Sequence, residues 1–366
     1  MSHVRHIAQK YISRLGRSIG VDVSRGALLL VSGGGGWAVD QIGLSLREHL
    51  RANYEKVEVV GHIGQRPFVT QANIHFLCRP AFFDSNGTPD IHLSNRLVVS
   101  WLHGGRNSMD PNIVAACDQL EMHWRRVNRY IVPNSVTLRS LLECGVDPSI
   151  VHIIPNGVDT NVFTPAPNDF DRHRVRHELG IPSDAFVVGS FQRDGNDAGD
   201  PKMVKGPDVL VDTLAEVYQR RSIFVLLTGS GRTYVTRRLD ELGVPYVHHW
   251  LSNPRELVSI YHAVDSYIIS SREEGGPAPF RESMASGVPI VSTRMGLAAD
   301  LVQNGVNGLV ADVGDVQGLA DGLVTLFDNP HLRRSLATEA LNTVRGLDYS
   351  VIAQRYHDEV YRLAFG

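Results

Sequence analysis

Two acids bracket a bend that cannot be regular helix. In SREEGGPAPFRESMASGVPIVST (271–293), Glu274 and Glu282 are separated by seven residues that include two glycines and two prolines. Proline removes a backbone donor and glycine disfavours helix, so the two carboxylates sit on different arms of an irregular loop whose remaining N–H groups are not consumed by helical bonding. A solvated surface loop is the plain alternative. Three further stretches carry groups of the same kind. In VSGGGGWAVDQIGLSLREHL (31–50), four glycines, Gly33, Gly34, Gly35 and Gly36, precede a helix; backbone N–H groups and a helix start there suit an anion such as a diphosphate. Taken literally, Gly33-x-Gly35-x-x-Ala38 also matches a dinucleotide fingerprint, but the next strand runs into GHIG (61–64) without the acid that would hold a ribose. Nicotinamide binding and a purely structural turn both stay open. In WLHGGRNS (101–108), His103 ends a strand and Arg106 stands close in sequence. In VVGSFQRDGNDAGDPKMVKGPDVLVDTL (187–214), Arg193, Lys202 and Lys205 lie between a strand and a helix, where cations would neutralise a departing pyrophosphate.

The chain offers two sheets to position these groups. Its 366 residues with 43% apolar content exceed what one core holds, since single cores stop growing at roughly 250–300 residues. Apolar runs ALLLVS, VEVVGH, RLVVSWLH and RYIVPNS alternate with helical stretches in the first half. After the proline-rich FTPAPNDF (163–170), AFVVGSFQ, SIFVLLTGSG, YVHHW, SYIISS, PIVST and GLVADV do the same. That is the pattern of parallel sheets covered by helices. Asp169 and Asp171 have a D-x-D spacing, read here as a cap on the following basic helix, and the last helix is expected to be capped by Asp348 or Ser350. The 16 histidines include no H-E-x-x-H spacing, and no metal is expected.

The motifs together resemble the retaining glycosyltransferase family 4, glycosyl transferase group 1. The resemblance rests on IIPNGVDTNVFTP (153–165), KGPDVL (205–210), the 271–293 stretch and ADLVQNGVNGLV (299–310), in that order. It implies a GT-B fold: two Rossmann-like α/β/α domains facing across a cleft, residues 1–160 taking the acceptor and 161–348 the donor, with a C-terminal helix (349–366) crossing back to the first domain. It implies transfer of a sugar from a nucleotide diphosphate to a hydroxyl acceptor, with retention and no required metal or other cofactor. By the same resemblance Glu282, at a helix start, accepts from ribose hydroxyls, and Glu274 reaches hydroxyls of the donor sugar. Between them, N–H groups of Gly276 and Ala278 face the phosphates, Pro277 having none to give. Lys205 corresponds to the phosphate lysine. The usual partner arginine is replaced by Ser190, with Arg193 as its substitute. Trp250 or Leu251 stands where the base is contacted, and His103 where the sugar is met near its reacting carbon. Lys205, Arg193 and the amides of Gly34, Gly35 and Gly36 would stabilise charge on the departing diphosphate. With no carboxylate placed as a nucleophile, front-face attack is expected.

Rival readings are a noncatalytic nucleotide-sugar-binding partner of another transferase, a nicotinamide oxidoreductase and a nucleotide-sugar epimerase. A net charge of −3 from 36 basic and 39 acidic side chains gives no field to hold nucleic acid. Three cysteines without a C-x-x-C pair, and no apolar run near the roughly 18–20 residues that span a bilayer, point to the cytoplasm. Val4, Ile7, Tyr11, Leu15 and Ile19 recur at helical spacing beside Arg5, Lys10, Arg14 and Arg17. Such a helix could pack on its own domain or touch the inner face of an anionic membrane.

Overall fold

The computed structural model describes residues 27–33, 38–61, 71–78, 93–196, 199–251, 253 and 255–366. The basic helix expected over 4–19, Gly34, Gly35 and Gly36, and most of the loops at 61–67 and 78–87 lie outside the described residues. The chain divides after Asn156: one compact unit ends there and is completed by Tyr349–Gly366, the other is Gly157–Asp348.

The first unit holds β1 (Ala27–Val31), β2 (Lys56–Val60), β3 (Asn73–Phe76), β4 (Arg96–Ser100), β5 (Arg129–Val132) and β6 (Val151–Ile153) in the order β2-β1-β3-β4-β5-β6, with α1 (Ala38–Leu50), α2 (Pro111–His123) and α3 (Ser135–Glu143). Every strand pair is parallel. Side chains alternate between faces: Leu29 and Val31 join one core, Leu28 and Leu30 the other. Two strands, β3 and β6, were absent from the sequence pattern. The first begins with Asn73 and contains His75, which breaks its apolar run, and the second has only three residues.

The second face is covered by α1 and the C-terminal segment, whose Ile352, Tyr356, Val360, Tyr361 and Phe365 are buried beside Leu28 and Leu30. This segment is α-helical over Tyr349–Arg355, π-helical over Tyr356–Tyr361 and α-helical again over Arg362–Phe365. The Asp348 carboxylate, just before it, accepts from the backbone N–H and the hydroxyl of Thr160. His75 lies fully buried beneath the segment. Its Nδ1 is 2.6 Å from the Tyr361 hydroxyl and its Nε2 is 2.8 Å from Ser100 Oγ, while the rings of Tyr356 and Tyr361 meet it edge-on.

The second unit holds β7 (Phe186–Ser190), β8 (Ile223–Thr228), β9 (Tyr246–His249), β10 (Ser266–Ile269), β11 (Ile290–Thr293) and β12 (Leu309–Ala311) in the order β12-β11-β10-β7-β8-β9, again parallel. Its helices are α4 (Asp169–Glu178), α5 (Pro207–Arg220), α6 (Thr233–Leu242), α7 (Glu256–His262), α8 (Ala278–Ala285), α9 (Leu297–Leu301), α10 (Val316–Asp328) and α11 (Pro330–Arg345). The α4 cap is Asn168, which accepts from Asp171 N–H, so Asp169 and Asp171 occupy the first turn rather than the cap. Val187 and Tyr267 face one core, Phe186, Val188 and Ile268 the other.

Burial pushes the His75 imidazolium down to about 3, so the ring is neutral in the folded state at physiological pH. The unfolded chain takes up a proton near 6.5 that the folded chain refuses until about 3. Stability is therefore fully present above pH 6.5 and falls by up to about 1.4 kcal/mol per pH unit on acidification through that window. In urea titrations between pH 7.5 and 4, His75→Gln should show a shallower acid limb than the wild type. Parallel limbs would mean that His75 protonates without unfolding.

Candidate active site

In the second sheet β7 and β10 are neighbours, and the chain moves outward from them in opposite directions, to β8 and β9 on one side and β11 and β12 on the other. Loops leaving the carboxyl ends of such a pair diverge and open a crevice. The loop after β7 carries Arg193 and Lys205; the loop after β10 carries Glu274.

These two loops are fastened to each other. Residues 203–205 form a 3-10 turn, and four successive carbonyls there are claimed by donors from the strand ends. Met203 O accepts from Arg272 Nη1, Val204 O from the N–H groups of Arg272 and Glu273, Lys205 O from Gln192 Nε2, and Gly206 O from Ser270 Oγ. Arg272 also forks onto Asp208 in the first turn of α5, at 2.7 and 2.6 Å. Gly206 makes the approach possible. Its φ is +61°, and a Cβ there would lie 2.1 Å from Ser270 O, so neither conformation nor space admits a side chain. The result is a direct ion pair between Lys205 Nζ and Glu274 Oε1, with Glu274 only 8% exposed.

The turn that follows is shaped by the same means. A Cβ on Gly296 would sit 2.7 Å from Glu274 O, and one on Gly276 2.6 Å from Leu297 Cδ1. Buried Arg281 donates to Gly276 O at 2.6 Å, Pro277 O at 3.3 Å and Gly157 O at 2.9 Å. Carbonyls of the bend thus turn toward Arg281. Helix α8 starts at Ala278 with Pro277 as cap and no side-chain capping bond. Glu282 is the fifth helical residue, so it lies in the second turn and not at the helix start as expected. Its Oε2 accepts from the buried Tyr261 hydroxyl at 2.9 Å. Burial raises the Glu282 carboxyl above the usual range, opposed by that hydroxyl and by Arg281.

Arg193 is half-buried and its Nε donates to Gly195 O at 3.1 Å. Behind it sits a group that the sequence pattern missed. Arg232, 1% exposed, donates to Gln192 O at 2.5 Å and Ser190 Oγ at 3.1 Å and pairs with buried Asp194 at 2.7 Å. Burial, opposed by Arg232, raises Asp194 to about 6. A guanidinium therefore does reach Ser190, but from α6's start and from behind the loop. Trp250 is 65% exposed with its ring 5.0 Å from His248, whereas Leu251 is half-buried against the core. In the first unit, His103 is half-buried after β4, next to Gly104, whose carbonyl accepts from Trp101 Nε1. Arg106 pairs with Asp118 and Glu121 on α2. Among the described residues no three His, Cys, Asp or Glu side chains gather as a metal site, and no helix is long and apolar enough to cross a membrane.

Residues 198–329 match the family model described as glycosyl transferases group 1, a stretch that contains Lys205, Glu274 and Glu282. Over that stretch the chain is similar to group 1 glycosyltransferases. Among curated relatives, D-inositol 3-phosphate glycosyltransferase of Corynebacterium efficiens is 32% identical over 57% of this chain and 50% of its own. The enzyme of that name from Corynebacterium urealyticum is 34% identical over 66% of this chain and 61% of its own. The match thus spans about half to three fifths of these relatives' length. Among solved structures, sucrose-phosphate synthase from Thermosynechococcus elongatus has TM-score 0.75 at 16% identity, covering 93% of this chain and 99% of that one. Anabaena HepE in complex with UDP has TM-score 0.69 at 20% identity, covering 92% and 99%. The two-sheet α/β architecture is the GT-B fold anticipated from the motifs.

A comparison of two glycines isolates the close approach at Gly206. Gly243 has φ +66° and open space around it, so Gly243→Ala should cost only the left-handed penalty, about 1–2 kcal/mol. Gly206→Ala, with the same φ and a backbone oxygen in the way, should cost at least twice as much in denaturant titrations. Equal losses would mean that the two loops are not fixed by this contact.

Proposed function

We propose that this protein transfers a sugar from a nucleotide diphosphate to a hydroxyl acceptor with retention, using the crevice at the carboxyl ends of β7 and β10. The observation that carries the reading is the Lys205–Glu274 pair held there by the 203–206 and 270–273 backbone. Without donor the two charges neutralise each other. An incoming diphosphate offers Lys205 a second anionic partner and leaves Glu274 to accept from sugar hydroxyls. Glu282, with one oxygen held by Tyr261, presents the other to a ribose hydroxyl. Gly276 and Ala278 offer N–H groups to the phosphates, Arg193 adds positive charge, and Trp250 or Leu251 borders the base. Gly34, Gly35 and Gly36 and His103 enter on the family resemblance, His103 at the sugar's reacting carbon.

The bond from the anomeric carbon to the diphosphate oxygen breaks while the acceptor oxygen bonds to the same face, and the acceptor's proton passes to the departing phosphate. Lys205 and Arg193 stabilise the charge gathered on that leaving group, and the reaction requires no metal. The curated relatives are named as D-inositol 3-phosphate glycosyltransferases, and HepE is solved with UDP-glucose, which makes uridine diphosphate sugars the first donors to try. The chemistry needs no membrane partner and suits the cytoplasm; contact of the basic segment at 4–19 with anionic lipid is a separate proposal.

With a panel of nucleotide sugars, donor hydrolysis and transfer should persist in excess chelator, and the product should keep the donor's anomeric configuration by NMR. Glu282→Ala should raise the donor dissociation constant by about tenfold or more, since hydrogen bonds to charged groups contribute roughly 1.5–3 kcal/mol. Glu274→Ala and Lys205→Ala should cut kcat on the order of 10²–10³-fold. Tyr261→Phe should weaken the donor less than Glu282→Ala does. Wild-type donor binding and turnover in all of these variants would refute the site.

A further inference from the structure

The second unit has a cavity of about 950 Å³ at the opposite edge of its sheet from Lys205 and Glu274. It lies where the strands begin: Phe186, Ile223, Pro245, Asp265 and Pro289 line it, each at or just before the first residue of β7, β8, β9, β10 or β11. Four guanidiniums surround it, those of Arg172, Arg176, Arg333 and Arg334. Facing them are Asp265 within and the exposed Asp169 and Asp184 at the rim, with His173 beside Arg172.

The charges are not evenly matched inside. Asp265 is satisfied by Arg172 at 2.5 Å, Arg176 at 2.6 Å and the N–H of Val187 at 2.8 Å. Arg176 is wholly committed, donating also to Ala263 O, Ser183 O and Ala185 O. Arg333 reaches Asp265 only at 3.9 Å; it donates to Leu326 O, and its guanidinium lies 5.2 Å over the Phe186 ring. Arg334 is exposed at the rim and makes no ion pair among the described residues. Arg333 and Arg334 are adjacent in the second turn of α11, whose amino end adds positive potential. Burial and the neighbouring Arg172 and Arg334 depress the basicity of Arg333, with Asp265 opposing, as expected of crowded cations awaiting an anion. One wall is apolar: Phe186 and Phe327 rings stand 5.1 Å apart.

We propose that this cavity binds a small phosphate monoester, its phosphoryl group held by Arg333 and Arg334 and its organic body laid on the Phe186 and Phe327 wall. Guanidinium forks match phosphate oxygens, and a volume in the range of ligand sites, about 300–1,000 Å³, holds more than an inorganic ion. The site is separate from the donor crevice, since β10 alone places about 13 Å of strand between Asp265 and the loop bearing Glu274.

The test is calorimetric titration with phenyl phosphate, phenol and inorganic phosphate. Phenyl phosphate should bind tighter than either fragment, equally well to wild type and to Lys205→Ala. Arg333→Ala should weaken it about tenfold or more. Arg334→Glu changes an exposed residue, leaves the fold intact by circular dichroism, and should weaken it comparably. Phenyl phosphate binding no tighter than phenol or inorganic phosphate, undiminished binding in both arginine variants, or loss of binding in Lys205→Ala would overturn the assignment.

Discussion

The second unit's chemistry depends on one close approach, that of the Gly206 backbone to the carbonyl of Ser270. Two loops leaving adjacent parallel strands would ordinarily diverge, because their helices pack on opposite faces of the sheet. Here they are held by donors from one loop taking successive carbonyls of the other, and only a residue without a side chain lets the backbones meet. Lys205 and Glu274 are then brought within reach of each other by main-chain geometry. Groups positioned in this way lose little entropy when a ligand arrives.

Buried arginines recur as the means of finishing such edges. Arg281 serves carbonyls of Gly157, Gly276 and Pro277; Arg232 serves Gln192 and Ser190; Arg176 serves Ser183, Ala185 and Ala263. A planar group with five donors suits loops whose carbonyls point inward and have no strand partner. Burying the charge is costly, and Asp265 and Asp194 offset it for Arg176 and Arg232.

In the second sheet β7, β8 and β10 were legible because parallel strands buried on both faces read as mainly apolar runs. In the first sheet β3 was hidden by His75, whose polarity is satisfied by Tyr361, 286 positions away, a partner that no local window contains. The same limit applies at the site. Glu274, Glu282 and Lys205 stand in motifs that can be recognised locally. Arg232 donates to Ser190 across 42 positions and carries no motif of its own, so only the folded chain reveals that a guanidinium backs the Arg193 loop.

The widened π-turn near the carboxyl terminus fixes how its last residues face. In a regular α-helix five steps advance about 500°, which would leave Tyr356 and Tyr361 about 140° apart around the axis. Both are buried beside His75, so the extra residue in that turn lets two aromatic rings share one side. Removing a single position between them would restore a regular α-turn, with the tyrosines four steps and about 40° apart, so Phe365 would keep nearly the same facing. The extra residue is therefore a position this stretch could lose without turning its last aromatic rings away from the sheet.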